Sequence, residues 1–141
     1  MIGNSRRWSG EDAAVMEMLG CSPLASMDAH IRGGLAISAI DNLASLGVSA
    51  VDAGIISRRR LSYCRRHDSP LTWNESDHIY RVSKVLMLAV AVFGDQAKAL
   101  AWLSKPRSSF GGLRALDAVA TTAGYEQAGE ELERLRSGLF A

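Results

Sequence analysis

The sequence predicts an all-α protein, and three observations carry this prediction. Strand signals are weak, because no alternating run of β-branched residues is bounded by turn residues and aromatic residues make up only 6% of the chain. Apolar residues instead recur at helical spacing in several segments. Ser, Thr and Asp precede these segments and glycines follow them, as helix caps do. With 141 residues, 48% of them hydrophobic, the chain is long enough for one sizeable core or for two small helical units that share one.

The first half of the chain contains several short predicted helices. Ser9 and the acidic residue three positions later resemble a capping box, and Gly20 fits the stop of that helix. Ser22 followed by Pro23 predicts the N-cap and first residue of a second helix, which the glycine pair at 33–34 ends.

A third helix follows in the same half. Helical apolar spacing over residues 37–44 predicts it, and Gly47 stops it. Ser49 is placed to cap a short helix that ends at Gly54, and Ser57 is placed to cap the next one.

The stretch SRRRLSYCRR, residues 57–66, contains five arginines and no acidic residue, in a chain whose formal net charge is only +1. At about 100° per residue, Leu61 and Cys64 project to one side of the predicted helix and a basic face projects to the other. Arg60 falls outside that face, where it would contact a backbone phosphate or an acidic neighbour. The basic face consists of Arg58, Arg59, Ser62, Arg65 and Arg66.

The arginine-rich helix occupies the place of a recognition helix, because a helix, a short helix and a turn precede it in helix-turn-helix proportions. Guanidinium groups suit this role, since they bond bidentately to guanine edges and pair with phosphates. We therefore predict operator DNA as a partner. The predicted contact residues are Ser57, Arg58, Arg59, Arg60, Ser62, Arg65 and Arg66.

A solvated charged face is the alternative interpretation of this helix, and charge runs commonly are no more than that. The usual surface pattern mixes signs, however, whereas this helix does not. Because the near-neutral chain limits nonspecific affinity for DNA, a homodimer that doubles the basic face is expected.

The segment SPLTWNES marks the boundary between two predicted domains, residues 1–70 and 71–141. Its proline disfavours a helix for the residue before it, and Thr72 with Glu75 fits a capping box that opens the longest helix. This helix is predicted to run to about Phe93. Its apolar stripe is so wide that both sides must be covered, which predicts that it is the central helix.

Two further helices are predicted after the central one. Asp95 is placed to cap a short helix over QAKALAWLSK. A loop from Lys105 to Leu113 follows and contains paired glycines. The last helix begins near Thr122 and runs to Gly138.

No catalytic constellation is evident in the sequence. His30, His67 and His78 are scattered, and Cys21 and Cys64 match neither a metal-ligand spacing nor a disulfide framework. The paired glutamates of the last helix alternate with arginines, which is typical of a solvated, salt-bridged face. We therefore predict no catalytic residue, no metal ligand and no cofactor, which argues against an enzyme.

The sequence also bears on location. The apolar run VLMLAVAVF has nine residues, whereas about 20 are needed to span a bilayer, so it predicts a core helix. The arginines near the N-terminus are not followed by the apolar region of a secretory signal. A cytoplasmic protein without a membrane partner is expected.

Four segments stand in the order of a known family's motifs. They are LTWNESDHIYRVSKVLMLA, VFGDQAKALAWL, FGGLRALD and TTAGYEQAGEELERLRSGLFA. On these motifs the chain resembles, from about Ile31 to Ala141, the Xre/MbcA/ParS antitoxin family. It departs from the family at Arg60, where members often have Thr, and at Ala115, where many have Pro.

The resemblance implies an N-terminal helix-turn-helix domain and a C-terminal toxin-binding domain built around the long central helix. It also implies a partner, a RES-domain toxin of ADP-ribosyltransferase-like fold that consumes NAD. The antitoxin would neutralise this toxin, in a complex of higher order, and repress its own operon. The competing interpretation is a stand-alone dimeric helix-turn-helix transcription regulator whose second half dimerises or senses a small molecule.

The tail RLRSGLFA is the predicted toxin-binding segment. Large apolar groups at a terminus that normally frays suggest a partner, and we expect them to enter or cover the NAD cleft of the toxin. The alternative is that they fold back on the core of the antitoxin. The predicted residues are Arg134, Arg136, Ser137, Gly138, Leu139 and Phe140.

Two tryptophans are secondary candidates. Trp102, beside the loop from Lys105 to Leu113, is of a residue type enriched at binding hot spots, but at this spacing a core position is the more common outcome. Trp73 is expected to pack between the two halves rather than to recognise a partner.

Overall fold

A computed structural model describes residues 9–139, with side chains described over 12–138. Within that range there are eight α-helices, one 3-10 turn (Ser108–Phe110) and no β-strand. The predicted all-α fold is confirmed. In chain order the α-helices are α1 (Ser9–Met18), α2 (Met27–Gly33), α3 (Ser38–Ser45), α4 (Arg58–His67), α5 (Trp73–Phe93), α6 (Gln96–Ser104), α7 (Ala115–Ala118) and α8 (Thr122–Leu139).

The chain divides into two compact units, one up to Tyr80 and the other from Arg81 onward. The division falls within α5, the longest helix, so that its first two turns belong to the first unit. No helix in the described part of the chain combines the length and apolar character needed to cross a bilayer.

The first unit is held together by a buried apolar core and by one buried polar contact. The hydroxyl of Ser76, on α5, is fully buried and accepts a hydrogen bond from the backbone N–H of Leu35 (2.9 Å). The carbonyl of Leu35 in turn accepts from the N–H of Leu71 (2.9 Å). The preceding Gly34 has φ +84°, and a Cβ there would lie 2.4 Å from the carbonyl oxygen of Leu71, so only glycine permits this approach.

Three predicted helix starts are confirmed by hydrogen bonds. Thr72 and Glu75 form the complete capping box, with the Thr72 N–H donating to Oε1 (2.8 Å) and the Glu75 N–H donating to Oγ1 (3.1 Å). The Asp95 carboxylate accepts from the N–H of Lys98, and Ser57 caps α4. These caps satisfy backbone donors that would otherwise be unpaired.

The predicted start of the second helix at Ser22 and Pro23 is wrong. The hydroxyl of Ser22 accepts from the N–H of Leu24, two residues on, which forms a local turn instead of a cap. Ser26 is the N-cap, because its hydroxyl accepts from the N–H of Ala29 and α2 begins at Met27. Both serines are suited to the role, and the second is the one that the chain uses.

Other predicted boundaries show smaller differences. Gly20 does follow the end of α1, with φ +75°, whereas the predicted capping box at Ser9 involves a side chain outside the described residues. Ser49 accepts from the N–H of Asp52, but residues 49–54 form hydrogen-bonded turns rather than the predicted short helix. At the other end, α8 continues through Gly138 to Leu139.

The second unit packs around the apolar half of α5. Val82, Leu86 and Ala89, on the predicted stripe, are fully buried, which confirms the stripe as a core-facing surface. Around Trp102 of α6 lies an aromatic cluster, with ring centroids 6.5 Å away at Phe93 and 6.2 Å away at Phe110.

The start of α8 depends on close contact with α7. Thr121 accepts a hydrogen bond from the N–H of Gly124 (3.0 Å), as an N-cap does. A Cβ at Gly124 would lie 1.9 Å from the carbonyl oxygen of Ala118, at the end of α7. The Thr-x-x-Gly motif of the sequence therefore combines a cap with a helix approach that only glycine allows.

Candidate DNA interface and partner-binding segment

The arginine-rich stretch forms α4 with both ends capped. The hydroxyl of Ser57 accepts from the N–H of Arg60 (3.1 Å), and Asp68, in the left-handed region at φ 48°, donates its N–H to the carbonyl of Cys64. Cys64 is fully buried and Leu61 is half-buried. The helix thus has a narrow apolar face against the first unit and a broad face toward solvent, as the sequence predicts.

The solvent face of α4 carries Arg58, Arg59 and Arg66, all exposed. None of the three makes an ion pair with any residue in the described part of the chain. Their charges are therefore not balanced by a neighbouring carboxylate, which leaves a concentrated positive surface for an anion. Ser62 is exposed on the same face.

Tyr63 belongs to this surface and was missed in the sequence analysis. Its side chain is 46% exposed, and helical spacing places it one turn from Arg59, just beyond the edge of the basic face. A shallow cavity of about 410 Å³ is lined there by Ser57, Arg59, Arg60 and Tyr63. At about 100° per residue Tyr63 lies about 40° beyond Arg59, outside the arc of the basic face, so helical spacing alone does not select it. Its phenol ring offers a hydrogen-bonding group and a flat apolar face.

The two remaining arginines of α4 are paired with carboxylates on other helices. Arg60 donates from Nε to Glu75 Oε2 (3.2 Å) and from Nη2 to Oε1 (3.4 Å), so it has the acidic neighbour that the sequence suggested. Arg65 donates from Nη2 to Asp41 Oδ1 on α3 (2.9 Å). The structure thus separates the five arginines into three outward cations and two that are held by the fold.

The protonation of Glu75 follows from these contacts. Partial burial acts to raise its pKa, but hydrogen bonds from the Thr72 N–H and from Arg60 outweigh burial, and the pKa of Glu75 lies below its ordinary value. The hydrogen bond to Glu75 also raises the pKa of Arg60, as the bond to Asp41 raises that of Arg65. Glu75, Arg60 and Arg65 are therefore charged at neutral pH.

In chain order, α3 and a turn precede α4, as the first helix and the turn of the predicted helix-turn-helix would. The preceding helix α3 ends at Ser45, and Gly47 with φ +98° turns the chain. Hydrogen-bonded turns at 49–54 lead into α4. The connection is longer than the three or four residues of a minimal helix-turn-helix. The proposed recognition role of α4 therefore rests on its place after α3 and on its exposed arginines.

The predicted partner-binding segment lies at the end of α8. Arg134, Ser137 and Gly138 are exposed there. Arg136 is partly buried, and its Nη1 lies 3.7 Å from Glu133 Oε1. The side chain of Leu139 and the whole of Phe140 lie outside the described residues.

The loop between α6 and α7 is compact. Arg107 donates its N–H to the carbonyl of Leu113 (3.0 Å), and its guanidinium lies 4.9 Å from the ring centre of Trp102. A cleft of about 380 Å³ opens beside the loop. It is lined by Ser109, Phe110, Gly111, Leu113, Asp117, Ala118, Thr121, Gly124 and Gln127.

The two tryptophans differ in exposure. Trp102 is only 5% exposed, which agrees with a core position. Trp73 is 59% exposed. It occupies the first turn of α5.

The histidines do not converge on a shared site. His30 has its Nε2 2.8 Å from the carbonyl of Ser22, and His67 stacks on Tyr63 with ring centroids 4.4 Å apart. Among the residues that the structure describes, no group of three His, Cys, Asp or Glu side chains is placed to hold a metal ion.

Fold and surface together define a class: a helical protein with an outward basic helix in its first unit and a second helical unit that exposes the end of its last helix. Residues 88–138 match the model of the antitoxin Xre/MbcA/ParS C-terminal toxin-binding domain. The match spans the last six residues of α5 and almost all of the chain that follows.

Two similar proteins show which family the chain belongs to. It is 32% identical over 117 residues to a Yersinia enterocolitica protein named antitoxin Xre, covering 79% of this chain and 78% of that protein. It is 39% identical over 84 residues to antitoxin Xre of Pseudomonas putida, covering 60% of this chain. The chain belongs to the Xre/MbcA/ParS antitoxin family. It spans about half (53%) of the length of the Pseudomonas relative.

Family membership confirms two predictions made from the sequence. The resemblance identified on four motifs is correct, and the chain belongs to a family of antitoxins rather than of enzymes. The family model also includes Arg134, Arg136, Ser137 and Gly138, four of the six residues of the predicted toxin-binding segment.

Proposed function

We propose that this protein is the antitoxin of a bacterial toxin-antitoxin pair, and that its partner is a RES-domain toxin that consumes NAD. The observation that carries the proposal is the match of residues 88–138 to a toxin-binding domain. The RES-domain identity of the partner is supported by the family resemblance of the motifs. We assign toxin binding to residues 71–141 and DNA binding to residues 1–70.

The proposed inhibitory segment is the end of α8. Its residues are Arg134, Arg136, Ser137, Gly138, Leu139 and Phe140. In the proposed complex the two apolar residues cover the NAD cleft of the toxin, and the guanidinium groups face anionic groups beside it. The exposure of Arg134 and of the adjoining Ser137 and Gly138 supports this arrangement, because a partner reaches them without unfolding α8.

Co-expression tests the toxin partnership. The toxin is taken as the RES-domain reading frame adjacent to this gene, and cell growth and cellular NAD are followed with and without this protein. The proposal predicts that NAD falls only when this protein is absent, and that the two proteins co-purify. Unchanged NAD together with separate elution would falsify it.

The second part of the proposal is autorepression through α4. The outward cations Arg58, Arg59 and Arg66, with Ser57 and Ser62, are the proposed DNA contacts. Three guanidinium groups on one helix face make no ion pair among the described residues, and this supports the role, because phosphate contacts supply much of the affinity for a duplex. Binding as a homodimer would place two copies of α4 about 34 Å apart, one helical turn of DNA.

A labelled duplex from the promoter region of the operon tests this second part. Affinity is measured over a range of salt concentrations, and each phosphate contact contributes about −0.9 to the slope of log K against log salt. A steep slope and a preference for the promoter duplex are expected. Equal, weak binding to any duplex would leave toxin binding as the remaining function.

The alternative is a stand-alone dimeric transcription regulator. It predicts promoter binding with no effect on NAD and no co-purified toxin, so the same two experiments separate the proposals. With DNA and a NAD-consuming toxin as partners, the protein would act in the cytoplasm.

A further inference from the structure

The two paired arginines of α4 differ in position from the three outward ones. At about 100° per residue, Arg60 and Arg65 lie on opposite sides of the buried residue Cys64. Arg60 contacts Glu75 of α5, and Arg65 contacts Asp41 of α3. Each edge of the buried face is thus linked to a different helix of the first unit.

The buried face between these edges is small. Cys64 is the one residue of α4 that is fully buried, with Leu61 half-buried beside it. Burial of apolar area contributes about 25 cal/mol per Å², so this face gives the helix little resistance to rotation about its own axis. Rotation in either direction would stretch at least one of the two ion pairs.

We propose that Arg60 and Arg65 are positioning residues, which fix the rotation of α4 and thereby aim Arg58, Arg59 and Arg66 outward. The two ion pairs support the positioning of α4. That this positioning serves DNA binding rests on the proposed function. Under this proposal, two of the seven predicted DNA contacts, Arg60 and Arg65, do not touch DNA themselves but hold the helix that does.

The competing possibility is that Arg60 and Arg65 leave their carboxylates and contact phosphate directly. Glu75 and Asp41 would then compete with DNA for the guanidinium groups. The two possibilities predict opposite effects of removing a carboxylate charge. Neutralising Glu75 weakens DNA binding if Arg60 positions the helix, and strengthens it if Arg60 contacts DNA.

The test begins with Glu75→Gln and Arg60→Gln, alone and combined. Gln is accepted at this position of a capping box, so the start of α5 is retained. Affinity is measured with a labelled promoter duplex. Each single variant is expected to bind on the order of tenfold more weakly, and the double variant no more weakly than either, because both remove the same contact.

The salt dependence separates the two roles further. Arg60→Gln should leave the slope of log K against log salt unchanged, whereas Arg58→Gln should reduce its magnitude by about 0.9, the loss of one phosphate contact. Tighter binding by Glu75→Gln, or a reduced slope in Arg60→Gln, would overturn the proposal. The same design applies to Asp41→Asn and Arg65→Gln.

Hydrogen exchange gives a readout that does not depend on DNA. The backbone amides of α4 should exchange faster in Arg60→Gln and Glu75→Gln, to the same extent in both. The control pair is Arg32→Gln and Asp28→Asn, an exposed ion pair within α2 that joins no second helix and should change nothing in α4. Unchanged α4 exchange in the Glu75 and Arg60 variants would overturn the positioning role. If α4 exchanges faster in these variants but the protein binds no duplex, the positioning role stands and the DNA-binding proposal is rejected.

Discussion

The helices α4 and α8 both carry arginines, but they differ in where the balancing charge comes from. α4 has no acidic residue of its own, and its two edge arginines are balanced by carboxylates from other helices. In α8 the arginines Arg134 and Arg136 stand among glutamates of the same helix, and Arg136 lies near Glu133. Charge in α8 is largely balanced locally, whereas charge in α4 is not.

Because of this difference, the roles proposed for the two helices rest on different kinds of evidence. Unbalanced positive charge on a solvent face points to an anionic partner, and this is what supports the DNA-binding role proposed for α4. Locally balanced charge points to no particular ligand. The role proposed for the end of α8 therefore depends on the family match over residues 88–138.

The largest expected effect comes from displacing the start of α8 from α7, with α4 left unchanged. In Gly124→Ala the new methyl group would lie 1.9 Å from the carbonyl oxygen of Ala118, so α8 must shift away from α7. We expect a loss of about 3 kcal/mol or more in the free energy of unfolding of the second unit. Chemical denaturation followed by circular dichroism measures it.

Gly138→Ala is the matched control for that variant. It lies on the same helix with nothing within 4 Å of the new methyl group, and its stability should change by less than about 1 kcal/mol. Equal stability of the two variants would show that α7 and α8 do not approach as closely as described.

The second expected effect concerns the outward arginines of α4. The double variant Arg58→Gln and Arg66→Gln removes two outward cations, and promoter affinity should fall on the order of 100-fold, since each good contact contributes about 1 to 3 kcal/mol. Fluorescence anisotropy at fixed salt measures it. Toxin binding should be unchanged, and a parallel loss of toxin binding would contradict the separation of the two helices.

The third effect concerns the end of α8. Arg134→Ala should weaken toxin binding by roughly tenfold or more if this exposed residue lies in the interface, because arginine is enriched at binding hot spots. Co-purification and calorimetry with the RES-domain protein measure the change. Glu130→Ala, also exposed on α8, is the control and should bind normally.

The smallest expected effect is a pH dependence of the free energy of unfolding that arises from Glu75, the partner of Arg60. The pKa of Glu75 is lowered in the folded protein, so its contribution is fully present above the unfolded value of about 4.3 and is lost as the pH falls through the folded value. Wild type should exceed Glu75→Gln by on the order of 1 kcal/mol near neutral pH. The difference should shrink below pH 4. A constant difference down to the acid limit would contradict the shift.

Much of the fold could be predicted from the sequence because local chemistry sets it. Caps at Ser57, Thr72 and Asp95 act within three residues, and each is confirmed by its hydrogen bonds. The error at Ser22 arose because Ser26, four residues later, is equally suited to a cap. Short-range signals do not rank two such candidates.

The details of the site depended on contacts that are distant in sequence. Asp41 and Arg65 are separated by 24 residues, so the pattern around the arginines gave no sign of their ion pair. The clash that makes Gly124 necessary arises from α7 and likewise needs coordinates. Tyr63 lies about 40° outside the helical arc of the basic face, so its place on this surface likewise follows from its exposure and from the cavity that it lines.

The measurement that tests the account most directly uses a strain that co-expresses this protein with the RES-domain toxin, and compares two double variants of this protein. Promoter occupancy and cellular NAD are followed together for Arg58→Gln with Arg66→Gln on α4, and for Arg134→Ala with Arg136→Ala on α8. The account predicts that the α4 variant loses repression while NAD stays high, and that the α8 variant retains repression while NAD falls. If either variant loses both activities while remaining folded, the assignment of separate partners to α4 and α8 is contradicted.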